Sequence, residues 1–279
     1  MSLAIESIKT FPKGGVHPDE NKLTADKPIQ KLSPPEEVTI PISQHIGVPA
    51  KPVVEQREKV KVGQIIARSE GFVSANIHAP IAGTVAKIDK IIDATGYKRD
   101  AIVIKAGKDA EEWDEKIDLS EDLVSEVAHS REEIIQKVAE AGIVGMGGAT
   151  FPSHVKLSVP KGKKADCLII NGVECEPYLT ADHRLMLEKG SEIMVGTRLL
   201  MKALDVQRAI IGIENNKPDA IEKMASLLSG ENGISVQPLK VQYPQGGEKQ
   251  LIKAVLGREV PSGGLPIDVG VVVHNVGTA

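Results

Sequence analysis

The stretch Ala165-Asp-Cys-Leu-Ile-Ile-Asn-Gly-Val-Glu-Cys-Glu-Pro-Tyr178 begins as a short apolar run and breaks into a loop of carboxylates. An apolar run of this length, from Ala165 to Asn171, fits a strand buried on both faces. Downstream the pattern changes period repeatedly. Asp182–Lys189 and Glu192–Leu204 read as helices, and Arg208–Glu214 as the next strand. Lys217–Leu228 is helical with Pro218 in its first turn. Ile234–Val241 is a strand, Gly247–Leu256 a helix and Val269–His274 a strand. Strands alternating with helices predict a parallel sheet covered by helices. In such sheets ligands sit outside the carboxyl ends of the strands. Three loops occupy those ends: Asn171–Tyr178, Tyr243–Glu248 and Asn275–Thr278.

Upstream lies Gly142-Ile-Val-Gly-Met-Gly-Gly-Ala-Thr-Phe-Pro-Ser-His-Val-Lys-Leu157, with Gly142, Gly145, Gly147 and Gly148 close together. Gly142 follows the helical run Arg131–Ala141, for which Ser130 is the N-cap, and reads as a helix C-cap. The other three glycines exceed what a helix end requires. Dense glycines let backbone approach a ligand, and successive free N–H groups suit an anion such as phosphate. The loop is not a Rossmann fingerprint, because Thr150 stands where a third glycine belongs and a helix precedes it. It is not a P-loop either.

Residues 37–107 carry short alternating runs punctuated by Gly and Pro: Val38–Ile42, Val60–Ala67, Ala79–Ile88 and Ala101–Lys105. They predict a small barrel or sandwich. Lys61–Ala67 followed by Ala79–Val85 resembles the barrel-sandwich hybrid of biotinyl and lipoyl carriers. The resemblance implies a hairpin tip at Gly71-Phe-Val-Ser-Ala-Asn76, where carriers hold a modified lysine. No lysine is present there, so the domain is expected to be a structural relative and not a swinging arm. Residues 1–36, rich in Pro, Lys and Gly, read either as a solvated arm or as one packed along this first domain. Residues 108–130 are acidic and read as a linker, with Trp113 as a surface anchor.

The chain has 279 residues, net charge −4 and only 3% aromatics, which argues against a nucleic-acid surface or base-stacking platforms. No apolar window approaches the ~18 residues of a membrane span. Two cysteines, Cys167 and Cys175, make neither a disulfide framework nor a four-thiolate metal site. Cys175 sits between Glu174 and Glu176, which would raise its pKa and disfavour a thiolate. Glu174, Cys175, Glu176 and Asp182 lack metal-ligand spacing, so no metal site is expected.

Five segments together resemble RnfC, a component of the Rnf ion-translocating electron-transport complex. They are Phe11–Pro18, Gly145–Leu157, Asn171–Met186, Tyr243–Ile252 and Val272–Thr278. Residues 142–279 more distantly resemble the FMN- and NADH-binding flavoprotein of respiratory complex I. The resemblance implies an α+β multidomain chain with these parts: an N-terminal arm (1–36), a barrel-sandwich hybrid (37–107), a linker (108–130) and an α/β parallel-sheet FMN/NADH-binding domain (131–279). It implies cofactor contacts from Gly145, Gly147, Gly148, Phe151 and Lys156, from Asn171, Glu174 and Glu176, from Gly246, Gly247 and Glu248, and from Asn275 and Thr278. Met146, Val173 and Gly247 depart from the complex I pattern, which has arginine, aspartate and glutamate there. No side chain is assigned as an acid or base.

The family resemblance implies electron transfer between NAD(H) and iron–sulfur clusters through FMN. The expected setting is a peripheral protein on the cytoplasmic face of the bacterial inner membrane, touching the membrane only through other Rnf subunits. The family continues with a β-grasp-like segment and a ferredoxin domain with two [4Fe–4S] clusters. The chain stops at Ala279, so it is expected to be a fragment that does not complete electron transfer alone. The competing reading is a non-catalytic docking module with a vestigial flavin site.

Overall fold

The computed structural model describes residues 7–93, 96–120, 122–123, 126–228 and 231–279. The chain divides into two compact units. One comprises Lys31–Asp122 and Gln136–Val155, and the other Met1–Gln30, Leu123–Ile135 and Lys156–Ala279.

The first unit is all β at its centre. Its strands are β1 (Glu37–Pro41), β2 (Lys51–Pro52), β3 (Lys59–Val60), β4 (Ile65–Arg68), β5 (Ile77–His78), β6 (Gly83–Ile92) and β7 (Lys98–Ala106). They form a four-stranded sheet, β1-β7-β6-β3, and a three-stranded sheet, β2-β4-β5, with every pairing antiparallel. The register sets Ile40 opposite Ile102 and Val85 opposite Ile104. With Ile66 and Ile77 these side chains make one buried cluster, the half-buried face that the alternation requires. The hairpin tip is pinned. Asn76 Oδ1 accepts from Ser69 N–H at 2.9 Å, its Nδ2 donates to Glu140 O at 3.0 Å, and Ser74 donates to Val48 O at 2.8 Å. The start of the acidic stretch read as a linker is also held: Val62 N–H donates to Glu112 O, and Asp114 N–H donates to Val62 O, both at 2.9 Å.

Helix α1 (Arg131–Glu140) opens on a capping box, with Ser130 N–H on Glu133 Oε2 at 2.7 Å and Glu133 N–H on Ser130 Oγ at 3.3 Å. It closes at Gly142, whose φ is +65°. A Cβ there would collide with Asn76 O, so both the turn and the close approach demand glycine. A short helix that the periodicity does not predict, α2 (Ser153–Leu157), follows Pro152. A proline at a helix entrance is its available signal.

The second unit alternates as expected: β8 (Cys167–Gly172), α3 (Ala181–Glu188), α4 (Gly190–Leu204), β9 (Ala209–Glu214), α5 (Pro218–Ser226), β10 (Ile234–Leu239), α6 (Glu248–Leu256), a 3₁₀ turn (Pro266–Val269) and β11 (Val271–Asn275). The sheet is wholly parallel in the order β10-β9-β8-β11. Taken in chain order this is 3-2-1-4, so the direction of winding reverses between β8 and β11. Doubly wound sheets bind ligands at that switch point. All six residues of β9 are buried, which is why its sequence, AIIGIE, is almost continuously apolar.

Most of the described N-terminal residues are exposed, and they divide between the units: those up to Gln30 belong to the α/β unit and those from Lys31 to the β unit. Residues 7–30 pack on the α/β unit, where Lys9 bridges Leu239 at the end of β10 and Val16 bridges Tyr243 beyond it. Phe11 is 7% exposed and joins Val173, Leu239, Leu251 and Val255 in the core. Burying one such aromatic is worth about 1.5–3 kcal/mol, one contribution among several that hold an arm without secondary structure.

Candidate functional site

The expected site residues fall into two groups. Gly145, Gly147, Gly148 and Phe151 belong to the β unit, and Lys156 and the eight others belong to the α/β unit. Within the glycine loop, Gly145 N–H donates to Phe151 O at 2.9 Å and closes it. A Cβ at Gly148 would meet nothing within 4 Å, so that part of the loop has open space beside it.

In the α/β unit the residues converge on the carboxyl ends of β8 and β11. Asn171, near the end of β8, donates through Nδ2 to Gly246 O at 2.9 Å and accepts Val173 N–H at 3.2 Å. Asn275, at the end of β11, donates to Asn171 O at 3.3 Å and to Asp182 Oδ2 at 2.6 Å. Its Oδ1 accepts Gly277 N–H at 2.8 Å, and Thr278 N–H returns to Asn275 O at 3.0 Å. The two asparagines therefore tie three strand-end loops together across the switch point. Gly246 completes the junction. Its N–H donates to Cys175 Sγ at 3.3 Å, and a Cβ there would stand 3.3 Å from that sulfur and 3.4 Å from Val173 Cβ.

Glu174 has a contact within the protein that the resemblance does not imply. Its carboxylate is buried and accepts Asp182 N–H at 2.7 Å and His183 N–H at 3.3 Å. It is the N-terminal cap of α3, the work usually given to a side chain at the N-cap itself. Its own φ is +49°, a left-handed conformation uncommon outside glycine. Glu176, two residues on, is exposed. Lys156 is half-buried, with Nζ 3.0 Å from Glu248 Oε1 and 2.9 Å from Val273 O. Glu248 is the first residue of α6, so the lysine and the helix N-terminus lie together.

Three buried groups, Glu214, Lys217 and His274, and the half-buried Asp182 lie beside this edge, and none of them is among the expected site residues. Asp182 is pushed up to about 6, first by burial and then by Glu174 and Glu176, against the hydrogen bond from Asn275. Glu214, at the end of β9, is pushed up to about 7 by burial, against the charge of Lys217. Lys217 lies 3.6 Å from it, and burial holds that amine low. Lys217 Nζ also donates to Val173 O at 2.8 Å and to Asn216 Oδ1 at 2.9 Å. His274, next to Asn275, is buried with Nε2 unpartnered; burial and the charge of Lys156 hold it down at about 3. The available signal for Asp182 and Glu214 is position: both flank a strand's carboxyl end. Cys175 is raised as expected, but burial is the main cause, with Glu176 and Glu214 as the carboxylates that add to it. Among the described residues no three His, Cys, Asp or Glu side chains come together as metal ligands, and no helix is long and apolar enough to cross a membrane.

Comparison with known proteins finds two family matches along the chain. Residues 9–109 match the family described as RnfC Barrel sandwich hybrid domain, and residues 138–279 match the Nuo51 FMN-binding domain. The chain is 52% identical over 273 residues to the RnfC protein of the proton-translocating ferredoxin:NAD(+) oxidoreductase complex of Clostridium ljungdahlii, covering 97% of this chain and 58% of that protein. It is 46% identical to the RnfC protein of the Na(+)-translocating ferredoxin:NAD(+) oxidoreductase complex of Acetobacterium woodii, covering 96% and 60%. It is 44% identical to the RnfC protein of the ion-translocating oxidoreductase complex of Rhodobacter capsulatus, covering 96% and 51%. The chain thus spans little more than half the length of these relatives.

Proposed function

The chain belongs to the RnfC family of ion-translocating ferredoxin:NAD(+) oxidoreductase complexes, and from that premise we propose that its α/β unit holds FMN and meets NAD(H). The observation that carries the reading is the switch point itself. Asn171, Asn275 and Gly246 knit three loops at the carboxyl edge between β8 and β11, where doubly wound sheets take nucleotides.

The donor set fits a flavin mononucleotide. A phosphate needs a cation and a cluster of N–H groups, and Lys156 beside the N-terminus of α6 offers both. Ribityl hydroxyls and a carboxamide need acceptors, and Glu248 and the exposed Glu176 are carboxylates at this edge. Asn171, Gly246, Gly247, Asn275 and Thr278 shape the floor. Gly145, Gly147, Gly148 and Phe151 are assigned to the flavin by the family resemblance. Glu174 is assigned a supporting role, since α3 uses both its oxygens. When bound, FMN supplies the exchange of an electron pair for single electrons. The chain's residues bind and orient it and keep charge near it fixed. The partners in this reading are NADH and the other proteins of the complex. Iron–sulfur clusters lie outside the proposed roles of these residues, and attachment is to the cytoplasmic face of the membrane through those partners.

The test is titration with FMN, followed by anaerobic addition of excess NADH and a stopped-flow record of the flavin band. Binding with bleaching is the expected outcome. Absence of flavin binding in both this chain and a full-length relative would favour the docking-module reading instead.

A further inference from the structure

Lys22, in the N-terminal arm, is not among the residues assigned to the flavin. Its ammonium donates to three backbone carbonyls of one loop: Glu174 O at 2.8 Å, Glu176 O at 2.9 Å and Leu179 O at 2.7 Å. Three carbonyl oxygens turned toward one point repel one another unless a cation stands there. The loop bends to make that arrangement, with Glu174 at φ +49° and Tyr178 at φ +68°, both left-handed in residues that carry a Cβ. The arm also grips this loop and the segment after β9 on either side of the lysine. Tyr178 N–H donates to Glu20 O at 2.9 Å, the Thr24 and Thr180 hydroxyls share a hydrogen bond at 2.6 Å, and Asn216 donates to the Glu20 carboxylate at 2.7 Å.

We propose that Lys22 is a positioning residue: its ammonium fills a three-carbonyl cage as a tethered monovalent cation and holds the 174–179 loop in the conformation that caps α3 with Glu174 and presents Glu176 at the carboxyl edge of the sheet. What the loop is held for rests on the proposed FMN and NAD(H) site. The cage itself rests on the geometry alone. The arm is therefore a working part of the site, and a bound cation substitutes for the glycines that a loop of this shape would otherwise need. Lysine suits the task because a compact ammonium offers three donors on a flexible stem, which the planar fork of arginine does not.

The test compares the wild-type protein with K22M and K22A. Amide hydrogen exchange is read at residues 175–180 and, as a control, across β9. Hydrogen bonds to a charged group hold strongly enough that their loss in K22M should speed loop exchange at least about tenfold while β9 is unchanged. FMN affinity or the KM for NADH should worsen in parallel, with kcat moving less. Methylammonium at tens of millimolar should restore slow exchange and ligand binding to K22A, whose cage is empty. It should not restore them to K22M, whose side chain fills the cage. If K22M fails to fold, K22A purified in methylammonium and then dialysed free of it gives the same comparison. Unchanged loop exchange in both variants would overturn the cage. Faster exchange with unaltered FMN and NADH binding would overturn the positioning role. A wild type that binds neither ligand would remove the proposed site, and the positioning role with it, while the exchange and its amine rescue still judge the cage.

Discussion

His274 offers a sharp test of how charge is handled at the switch point. It lies in β11, 3% exposed, with Nε2 unpartnered and its folded pKa held at about 3. The unfolded chain should titrate near the ordinary value of about 6.5. Because the folded value is depressed, the stability it contributes is present above about pH 6.5 and is lost as pH falls toward 3. Between pH 7.5 and pH 5 the unfolded state takes up a proton at this position and the folded state does not. At about 1.4 kcal/mol per pH unit below 6.5, that removes about 2 kcal/mol of stability. Two carboxyls act in the opposite direction. Asp182 at about 6 and Glu214 at about 7 have raised folded values, so the stability they contribute is present at low pH and lost as pH rises through 6 to 7. The wild-type profile alone therefore hides the histidine's share, because over this interval the two carboxyls together outweigh it. His274→Leu, of similar volume and without the unpartnered nitrogen, isolates the histidine's share. Urea unfolding at pH 7.5 and pH 5 for both proteins should show the wild type losing about 2 kcal/mol relative to the variant across that interval. Parallel stability profiles would refute the reasoning, because they would mean that His274 is protonated in the folded state.

Four further outcomes are expected. Glu174→Ala removes the acceptor for two N–H groups at the start of α3 and should cost about 1–2 kcal/mol in urea unfolding, as loss of a helix cap does. Gly142→Ala forces a Cβ against Asn76 O at positive φ and should cost about 1–3 kcal/mol, whereas Gly148→Ala, with open space, should leave thermal stability unchanged and report only on ligand approach. Lys156→Ala should weaken FMN binding by about 1.5–3 kcal/mol, the worth of a charge-assisted hydrogen bond, measured by fluorescence titration. Glu176→Gln keeps size and removes charge at an exposed position, so NADH should bleach bound flavin more slowly while FMN affinity changes less, a difference that stopped-flow absorbance resolves.

The alternating apolar runs make both sheets legible, because period 2 in residues 37–107 and period switching after 165 follow directly from which faces are buried. Strand order is not legible. Nothing in β8 or β11 says that they are neighbours; that pairing depends on which helices fold to which face. Helix α2 escapes because five residues carry too little periodicity to register, and only Pro152 marks its entrance. The arm escapes for a related reason. It has no period, and its attachment rests on one aromatic, Phe11, on backbone bridges to Leu239 and Tyr243, and on the polar contacts around Lys22, none of which leaves a mark in composition.

The strand-end rule locates the candidate site, since position relative to a strand terminus can be read along the chain. Roles within it cannot be read that way. Glu174 and Glu176 differ by two residues and share one chemistry, yet one is buried as a helix cap and the other stands in solvent. What separates them is the left-handed turn at Glu174, and that turn is held by Lys22, more than 150 residues earlier in the chain. A carboxylate's function at such an edge is thus set by the backbone beneath it. That backbone is set in turn by a distant cation, whose own sequence context, Glu-Asn-Lys-Leu, gives no sign of it. Side chains that bind through their own atoms leave motifs. Side chains that shape another segment's backbone need only reach it, which is why the arm's contribution becomes visible only once the loop and the lysine are seen together.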